Sequence, residues 1–204
     1  MICVAPASRR LSRAHLALAS SNALPCAFLI APAESQSVRT LDGFQCRTCG
    51  KWHDGLPLDY GYSAPHYWFE SLRNKPDSFL NADLCVIEQR DYFVRGLIEI
   101  PVIGSKEAFR WGVWVSLSQS NFDRMVELWD NPQLLEEPPY FGWLSNSIDE
   151  YPETLNLKAN VRSRDLRHRP YITLEQTDHP LSVEQQQGIG IQRVREIVER
   201  ALHP

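Results

Sequence analysis

The sequence lacks several features that would assign it to a specialised class of protein. No stretch has enough consecutive apolar residues to span a bilayer. There is no nucleophile elbow, no P-loop and no dinucleotide-binding fingerprint, so no common catalytic motif points to a reaction. Five cysteines are too few, and odd in number, for a small secreted chain held by disulfides. We therefore predict a cytoplasmic protein with no membrane partner.

Positive charge is also scarce over most of the chain. Residues 1–40 carry four arginines and one acid, so the remainder is net acidic, and the whole chain has a net charge of −4. We interpret the one local basic cluster as a solvated strand pair and its turn; it comprises Lys158, Arg162, Arg164, Arg167 and Arg169. Nucleic acid requires clustered Lys and Arg and is not an expected partner.

The first forty residues differ in composition from the rest, being rich in Ala, Ser and Arg. One interpretation is a targeting peptide, since an apolar stretch follows Arg9, Arg10 and Arg13. The other is a disordered extension, or upstream sequence translated from a misplaced start. Pro25 and Pro32 interrupt the apolar stretch and favour the extension. We predict one domain over residues 41–204, preceded by an extension over residues 1–40.

Strand-like runs dominate the predicted domain. The segment DLCVIEQRDYFVRGLIEIPV contains two such runs joined at Arg90–Asp91, which predicts a hairpin. In EAFRWGVWVSLS, alternation places Trp111, Val113, Val115 and Leu117 on one face of a strand. A short strand in PPYFGWLSNSIDEYPETL and two more in LNLKANVRSRD and RPYITLEQ follow.

Two helices are predicted among these strands. Ser118 or Ser120 is placed to cap a helix through NFDRMVELWD. Ser182 with Gln185 forms a capping box before a C-terminal helix with an apolar stripe. The predicted class is α+β: a mostly antiparallel sheet with a helix after the Trp-rich strand, a C-terminal helix and an N-terminal zinc-knuckle-like turn.

The segment FQCRTCGKWHDGLP is the clearest candidate site. Cys46 and Cys49 are two residues apart, and Gly50 allows the tight turn in which both thiolates face one metal ion. His53 is close enough to supply a third ligand. A thioredoxin-type pair would begin a helix, which Gly50, Gly55 and Pro57 disfavour. The pattern therefore favours zinc over redox chemistry.

The fourth ligand decides what a zinc ion would do here. Four protein ligands form a closed structural site, whereas three leave a position for a catalytic water. The candidates are Cys85, His66 and His179. Cys85 is the softest of them and is the one other thiol outside the first forty residues. We predict Cys46, Cys49, His53 and Cys85 as the ligands of a structural zinc ion.

Two further segments carry candidate binding residues. PLDYGYSAPHYWFE places Asp59, Tyr60, His66 and Trp68 in a bent loop, either as an aromatic recognition surface or as rings folded back into the core. In TDHPLS, His179 follows an aspartate just before a helix. Adjacent residues of an extended segment point in opposite directions, so helix capping is favoured over proton transfer.

Five segments, taken in order, carry a resemblance to a known family: CRTCGKWHDGLPLDYGYSAPHYW, DLCVIEQRDYFVRGLIEIPV, FRWGVWVSLS, PPYFGWLSNSIDEYPETLNLK and RPYITLEQTDHPLSVEQQQGI. The chain resembles the bacterial family known as domain of unknown function 2199. The resemblance runs from about Phe44 to the C-terminal helix and implies a shared role for Cys46, Cys49, Gly50 and His53. It implies no particular activity.

The functional prediction follows from the cysteine motif. We expect a small bacterial domain with a structural zinc knuckle that acts by protein binding or regulation, with an unidentified protein as its partner. The alternative is a metal-dependent hydrolase in which three protein ligands leave an open zinc position for water. The number of protein ligands discriminates between the two.

Overall fold

The structure is a computed structural model that describes residues 40–41 and 43–203. The extension predicted over residues 1–40 lies outside the described residues except for Thr40. The strands are β1 (Thr40–Leu41), β2 (Phe44–Gln45), β3 (Trp52–His53), β4 (Leu56–Pro57), β5 (Asp59–Gly61), β6 (Phe79–Leu80), β7 (Leu84–Ile87), β8 (Asp91–Pro101), β9 (Ala108–Leu117), β10 (Tyr140–Leu144), β11 (Lys158–Arg162) and β12 (Tyr171–Leu174). The helices are α1 (Gln119–Glu127), α2 (Pro180–Gln187) and α3 (Ile191–Leu202), with 3₁₀ turns at Glu70–Asn74 and Pro132–Leu135.

Five of these strands close into a barrel. Strands β8 to β12 pair antiparallel in chain order, and β12 then pairs parallel with β8 to complete the circle. Outside the barrel, β7 and β6 extend the sheet from β8, and β5 pairs parallel with β9. The mixed α+β class is confirmed, but the sheet is closed and contains two parallel pairings, which the prediction of a mostly antiparallel sheet did not include.

The long β8–β9 hairpin is buried on both faces because two core clusters lie against it. Trp111, Val113 and Val115 face the main core, which fills the barrel and continues beneath the helices. Trp114 faces the opposite way, into a smaller cluster with Phe93. The predicted phase of this strand is therefore confirmed. The segment between β5 and β7 covers the second cluster, so the outer face of the hairpin is also removed from water.

The helices begin where local side chains satisfy their first amide groups. Ser118 accepts a hydrogen bond from the Asn121 amide at the start of α1, as predicted. At α2 the capping residue is His179, whose Nδ1 accepts from the Leu181 amide. The predicted capping box is wrong, because Ser182 lies inside the helix and donates to the Glu175 carbonyl. Gly188, with φ of +79°, separates α2 from α3.

One member of the predicted basic cluster is part of the interior. Arg169 donates through Nε to Asp83 Oδ1 at 2.7 Å, and the two side chains are 3% and 2% exposed. This ion pair joins the turn before β12 to the residue before β7. Arg169 is therefore not one of the solvated residues that the sequence predicted, whereas Arg162 and Arg167 are exposed.

Candidate metal centre

The Cys46–Gly50 turn lies between two very short strands. β2 and β3 pair antiparallel, and the chain reverses between them over residues 46–51. The Gly50 amide donates to the Cys46 carbonyl at 3.0 Å, and the Cys46 amide donates to the Lys51 carbonyl at 2.9 Å. Gly50 has φ of +68°, a conformation that a side chain makes costly. The turn therefore favours a glycine after the second cysteine.

His53 reaches the turn because of the strand register. It lies directly opposite Phe44 in the β2–β3 pair, on the return strand. The two rings stack with centroids 5.4 Å apart and an interplanar angle of 22°. Phe44 is 2% exposed and belongs to the main core. The core thus orients the imidazole through a buried aromatic neighbour, while its Nε2 atom points to Cys49.

The fourth member of the group is His203, which directly follows the last residue of α3. The helix is anchored by the buried side chains of Val194, Ile197 and Val198. Near its C-terminal end, Glu199 Oε1 accepts a hydrogen bond of 2.8 Å from the Arg47 amide in the turn. The helix therefore brings its end, and His203 with it, to the cysteines.

The four ligand atoms are close enough to bind one ion. The sulfur atoms of Cys46 and Cys49 and one nitrogen each of His53 and His203 all lie within 4.8 Å of one another. Cys46 Sγ is 3.3 Å from His203 Nε2, and Cys49 Sγ is 3.3 Å from His53 Nε2. Tetrahedral bonds of about 2.3 Å to sulfur and about 2.0 Å to nitrogen would place such atoms about 3.3–3.8 Å apart. Two thiolates and two imidazoles form a set that zinc prefers.

The surroundings of Cys46 favour its thiolate. Burial alone would raise the pKa of the Cys46 thiol, and the charge of Glu199 acts in the same direction. The backbone amides of Cys49 and Thr48 and the Cys49 side chain hydrogen-bond to the sulfur, and the pKa of Cys46 is lowered below its usual range. A metal ion displaces the thiol proton, so this environment supports metal binding.

Cys85 does not belong to this group, and His203 takes the place that the sequence prediction gave it. Cys85 is on β7, fully buried in the second cluster among Leu72, Phe93 and Trp114. Burial raises the pKa of the Cys85 thiol to about 12, so it stays protonated. The two other fourth-ligand candidates are also absent from the group, since His66 is exposed before the first 3₁₀ turn and His179 caps α2.

The remaining binding candidates have different environments. Asp59 pairs with Arg110 at 3.4 Å. Tyr60 is 4% exposed and packs against Phe109 and Trp111, so for this candidate the second alternative, a ring folded back into the core, is the one that the structure has. Trp68 is half-buried against the second cluster. His66 is the exposed member of the set. The idea of a recognition surface on this loop stays a prediction for His66 and Trp68.

His203 is the residue that sequence reasoning missed. It is one of six histidines and lies 150 residues beyond His53, with no ligand-like spacing to any other candidate. Its one signal is its position immediately after the apolar stripe of the last helix. A helix that packs on the core has a fixed end, so a histidine there has a defined location.

The geometry defines a class: a small closed β-barrel protein with a Cys₂His₂ candidate metal centre beside the barrel. Residues 45–189 match the family described as "Uncharacterized protein conserved in bacteria (DUF2199)", and the chain belongs to that family. The matched region contains Cys46, Cys49 and His53, and it ends before α3 and His203. Comparisons with curated proteins and with solved structures found no match.

None of the helices in the described part of the chain combines the length and the apolar character needed to cross a membrane.

Proposed function

We propose that Cys46, Cys49, His53 and His203 hold a structural zinc ion, and that the protein acts by binding or regulating another protein. The observation that carries the first part is the convergence of four ligand atoms within 4.8 Å. A complete tetrahedral set leaves no position for a reactive water, which is typical of structural sites. The alternative from the sequence, a metal-dependent hydrolase, needs such a position and has less support.

The ion would link two parts of the chain that are distant in sequence. Cys46, Cys49 and His53 belong to one hairpin, whereas His203 follows the C-terminal helix. Besides the Arg47–Glu199 hydrogen bond, few polar contacts join the hairpin to the end of α3 among the described residues. A bound zinc ion would fix this junction and hold the adjacent surface in one conformation for a partner.

The ligand chemistry also supports the proposed location. Cys46, Cys49 and Cys85 are free thiols. Thiolate ligands bind zinc when they are kept reduced, as they are in the cytoplasm. We therefore propose a cytoplasmic location, and the description of the family supports a bacterial origin.

The test is metal analysis of the purified full-length chain by plasma mass spectrometry. We expect about one zinc per chain for the unaltered protein. Cys46→Ser and His203→Ala should each lose most of the zinc, because three ligands bind more weakly than four. Cys85→Ala is the matched control: it removes a thiol outside the group and should retain the ion.

Two results would contradict the proposal. Zinc retained by His203→Ala but lost from Cys85→Ala would restore the ligand set that the sequence predicted. If protein that is expressed with ample zinc and kept reduced contains no zinc, the proposal of a structural zinc site is wrong. Acidification should also release the ion, since protons compete with it for both thiolates and both imidazoles.

A further inference from the structure

The outer side of strands β10, β11 and β12 presents an unusual set of side chains to solvent. Because alternate residues of a strand share a face, Phe141 and Trp143 project outward from β10, and Lys158 and Arg162 project outward from β11. In the strand register, Trp143 lies opposite Lys158, and Arg162 lies opposite Tyr171 of β12. We call these five residues the outer barrel face.

Two large aromatic side chains on this face are exposed. Phe141 is 46% exposed and Trp143 is 40% exposed, although the inward residues on either side of them are buried. Their rings form an edge-to-face pair with centroids 5.2 Å apart. Neighbouring aromatic rings that stay in contact with water are enriched in protein-binding surfaces, where they supply contact area at small cost in side-chain entropy.

Grooves lie at both ends of this face. One, of about 260 Å³, is lined by Trp143, Leu157, Lys158 and Leu174 among others. The second, of about 420 Å³, is lined by Arg162, Arg164, Tyr171 and Leu135 among others. The first has an indole and aliphatic side chains in its wall beside Glu175. The second has two guanidinium groups and one carboxylate, that of Glu99, so its wall keeps one excess positive charge. The two ends therefore suit different side chains of one ligand: an apolar group at the first and an anion at the second.

The charge of the face is positive, which is uncommon in this net acidic chain. Arg164 pairs with Glu99 at 2.9 Å, and Lys158 pairs with Glu175 at 3.2 Å. Arg162 is exposed and forms no ion pair within the described part of the chain. Its guanidinium can bind a carboxylate through two parallel hydrogen bonds. Arginine and aromatic residues on one exposed face are the residue types most enriched at the centres of binding surfaces.

We propose that the outer barrel face binds an extended acidic peptide segment of a partner protein. An aromatic or large apolar side chain of the segment would lie against Phe141 and Trp143, and a carboxylate would pair with Arg162. Lys158 and Arg162 are four residues apart, so the two anchors are separated by about 13 Å along the strand. In an extended peptide, residues four apart lie on one side at that same spacing.

Charge favours an acidic peptide over two other possible occupants of the outer barrel face, which are the N-terminal segment of this chain and a nucleic acid. Residues 1–39 contain four arginines and one acid, so that segment of the chain would be repelled by the face. A nucleic acid carries one phosphate per nucleotide, so the net charge of −4 repels it more strongly than a peptide that carries only a few carboxylates. A few carboxylates on one segment match the local charge without requiring a basic domain.

This inference rests on the proposed function in that it supplies the class of partner. The experiment is selection of random twelve-residue displayed peptides on immobilised full-length protein, followed by fluorescence anisotropy with a labelled copy of the most enriched sequence. We expect enriched peptides to be acidic and to contain an aromatic residue. Binding should weaken at least about tenfold in Phe141→Ser/Trp143→Ser and in Arg162→Glu, as for residues at the centre of an interface.

Ile191→Ser and Arg195→Glu are matched controls, because Ile191 is 39% exposed and Arg195 is exposed, and both are on α3, which lines neither groove. They should bind the peptide as the unaltered protein does. Zinc content is measured for every variant, so that loss of the ion and loss of the peptide site are distinguished. Circular dichroism shows whether each variant is folded.

Several outcomes would overturn the proposal. They are no enrichment, enrichment of basic peptides, or binding that the variants at the face leave unchanged. Tighter binding of labelled twelve-residue oligothymidylate, lost in the same variants, would assign the face to single-stranded nucleic acid. Binding of a synthetic peptide of residues 1–39, or a concentration-dependent dimer that Phe141→Ser/Trp143→Ser abolishes, would assign it to the chain itself or to a second copy.

Discussion

Strands β8 and β9 span eleven and ten residues, whereas β2 and β3 span two each. The long hairpin is packed on both faces, and side chains such as Ile98 and Val113 have no exposed area. Of residues 43–55, by contrast, only Phe44 and Cys46 are buried. Burial of apolar area can account for the stability of the barrel. It cannot account for a fixed geometry in residues 43–55, which we call the Cys/His region.

The difference indicates that the two regions use different sources of stability. Burying one large aliphatic side chain contributes about 1.5–3 kcal/mol, and the core that fills the barrel and continues beneath the helices contains more than thirty buried apolar residues. A structural zinc ion contributes about 10–16 kcal/mol in small zinc-finger peptides, concentrated on four residues. A region with two buried residues can therefore be as well ordered as the barrel, provided that the ion is bound.

The largest effect is expected from a charge placed inside the barrel. Val115→Asp would bury a carboxylate at a position with no exposed area and no partner. This costs several kcal/mol against a total stability of about 5–15 kcal/mol, so we expect no soluble folded protein. Ser116→Asp is the control, since Ser116 points the other way on the same strand and is half-buried. Native-like near-ultraviolet circular dichroism of Val115→Asp would show that the barrel interior is not as closely packed as described.

The next effect tests whether the barrel depends on apolar contacts alone. Arg169→Ala would leave the Asp83 carboxylate buried without its guanidinium partner. Removing one partner of a buried pair typically costs about 3–5 kcal/mol. Urea denaturation should show a loss of this size, whereas Arg162→Ala, at an exposed position, should change stability by less than about 0.5 kcal/mol. Equal effects of the two substitutions would mean that the buried ion pair contributes little.

Much of the barrel was predictable because its signals are local. The Arg90–Asp91 hairpin, the alternation from Trp111 to Leu117 and the Ser118 cap all depend on residues within a few positions of one another. Closure of the barrel was not predictable in this way. It depends on the parallel pairing of Tyr171 with Leu97, which are more than seventy residues apart and have no shared pattern.

The candidate metal centre likewise has one part that the sequence predicts and one part that depends on distant contacts. Cys46, Cys49 and His53 lie within eight residues, and their spacing predicts a common site. The fourth position required knowing which distant side chain the fold brings near. Thiol softness favoured Cys85, but the alternation of β7 turns that side chain into the second cluster. His203 lies near the cysteines because α3 packs on the core, and the spacing of residues along the sequence does not show that packing.

The smallest effect on overall stability is expected from removing the ion, because the change should be confined to the Cys/His region. With a chelator present, the amides of Cys46, Arg47 and Gly50 should lose their protection from hydrogen exchange, since their bonds to Lys51, Glu199 and Cys46 depend on the geometry of the turn. Amides of β8 and β9 should keep their protection. Adding zinc back should restore the first set. Loss of protection throughout the barrel would mean that the two regions unfold as one unit. The zinc ion would then stabilise the barrel as well as the Cys/His region.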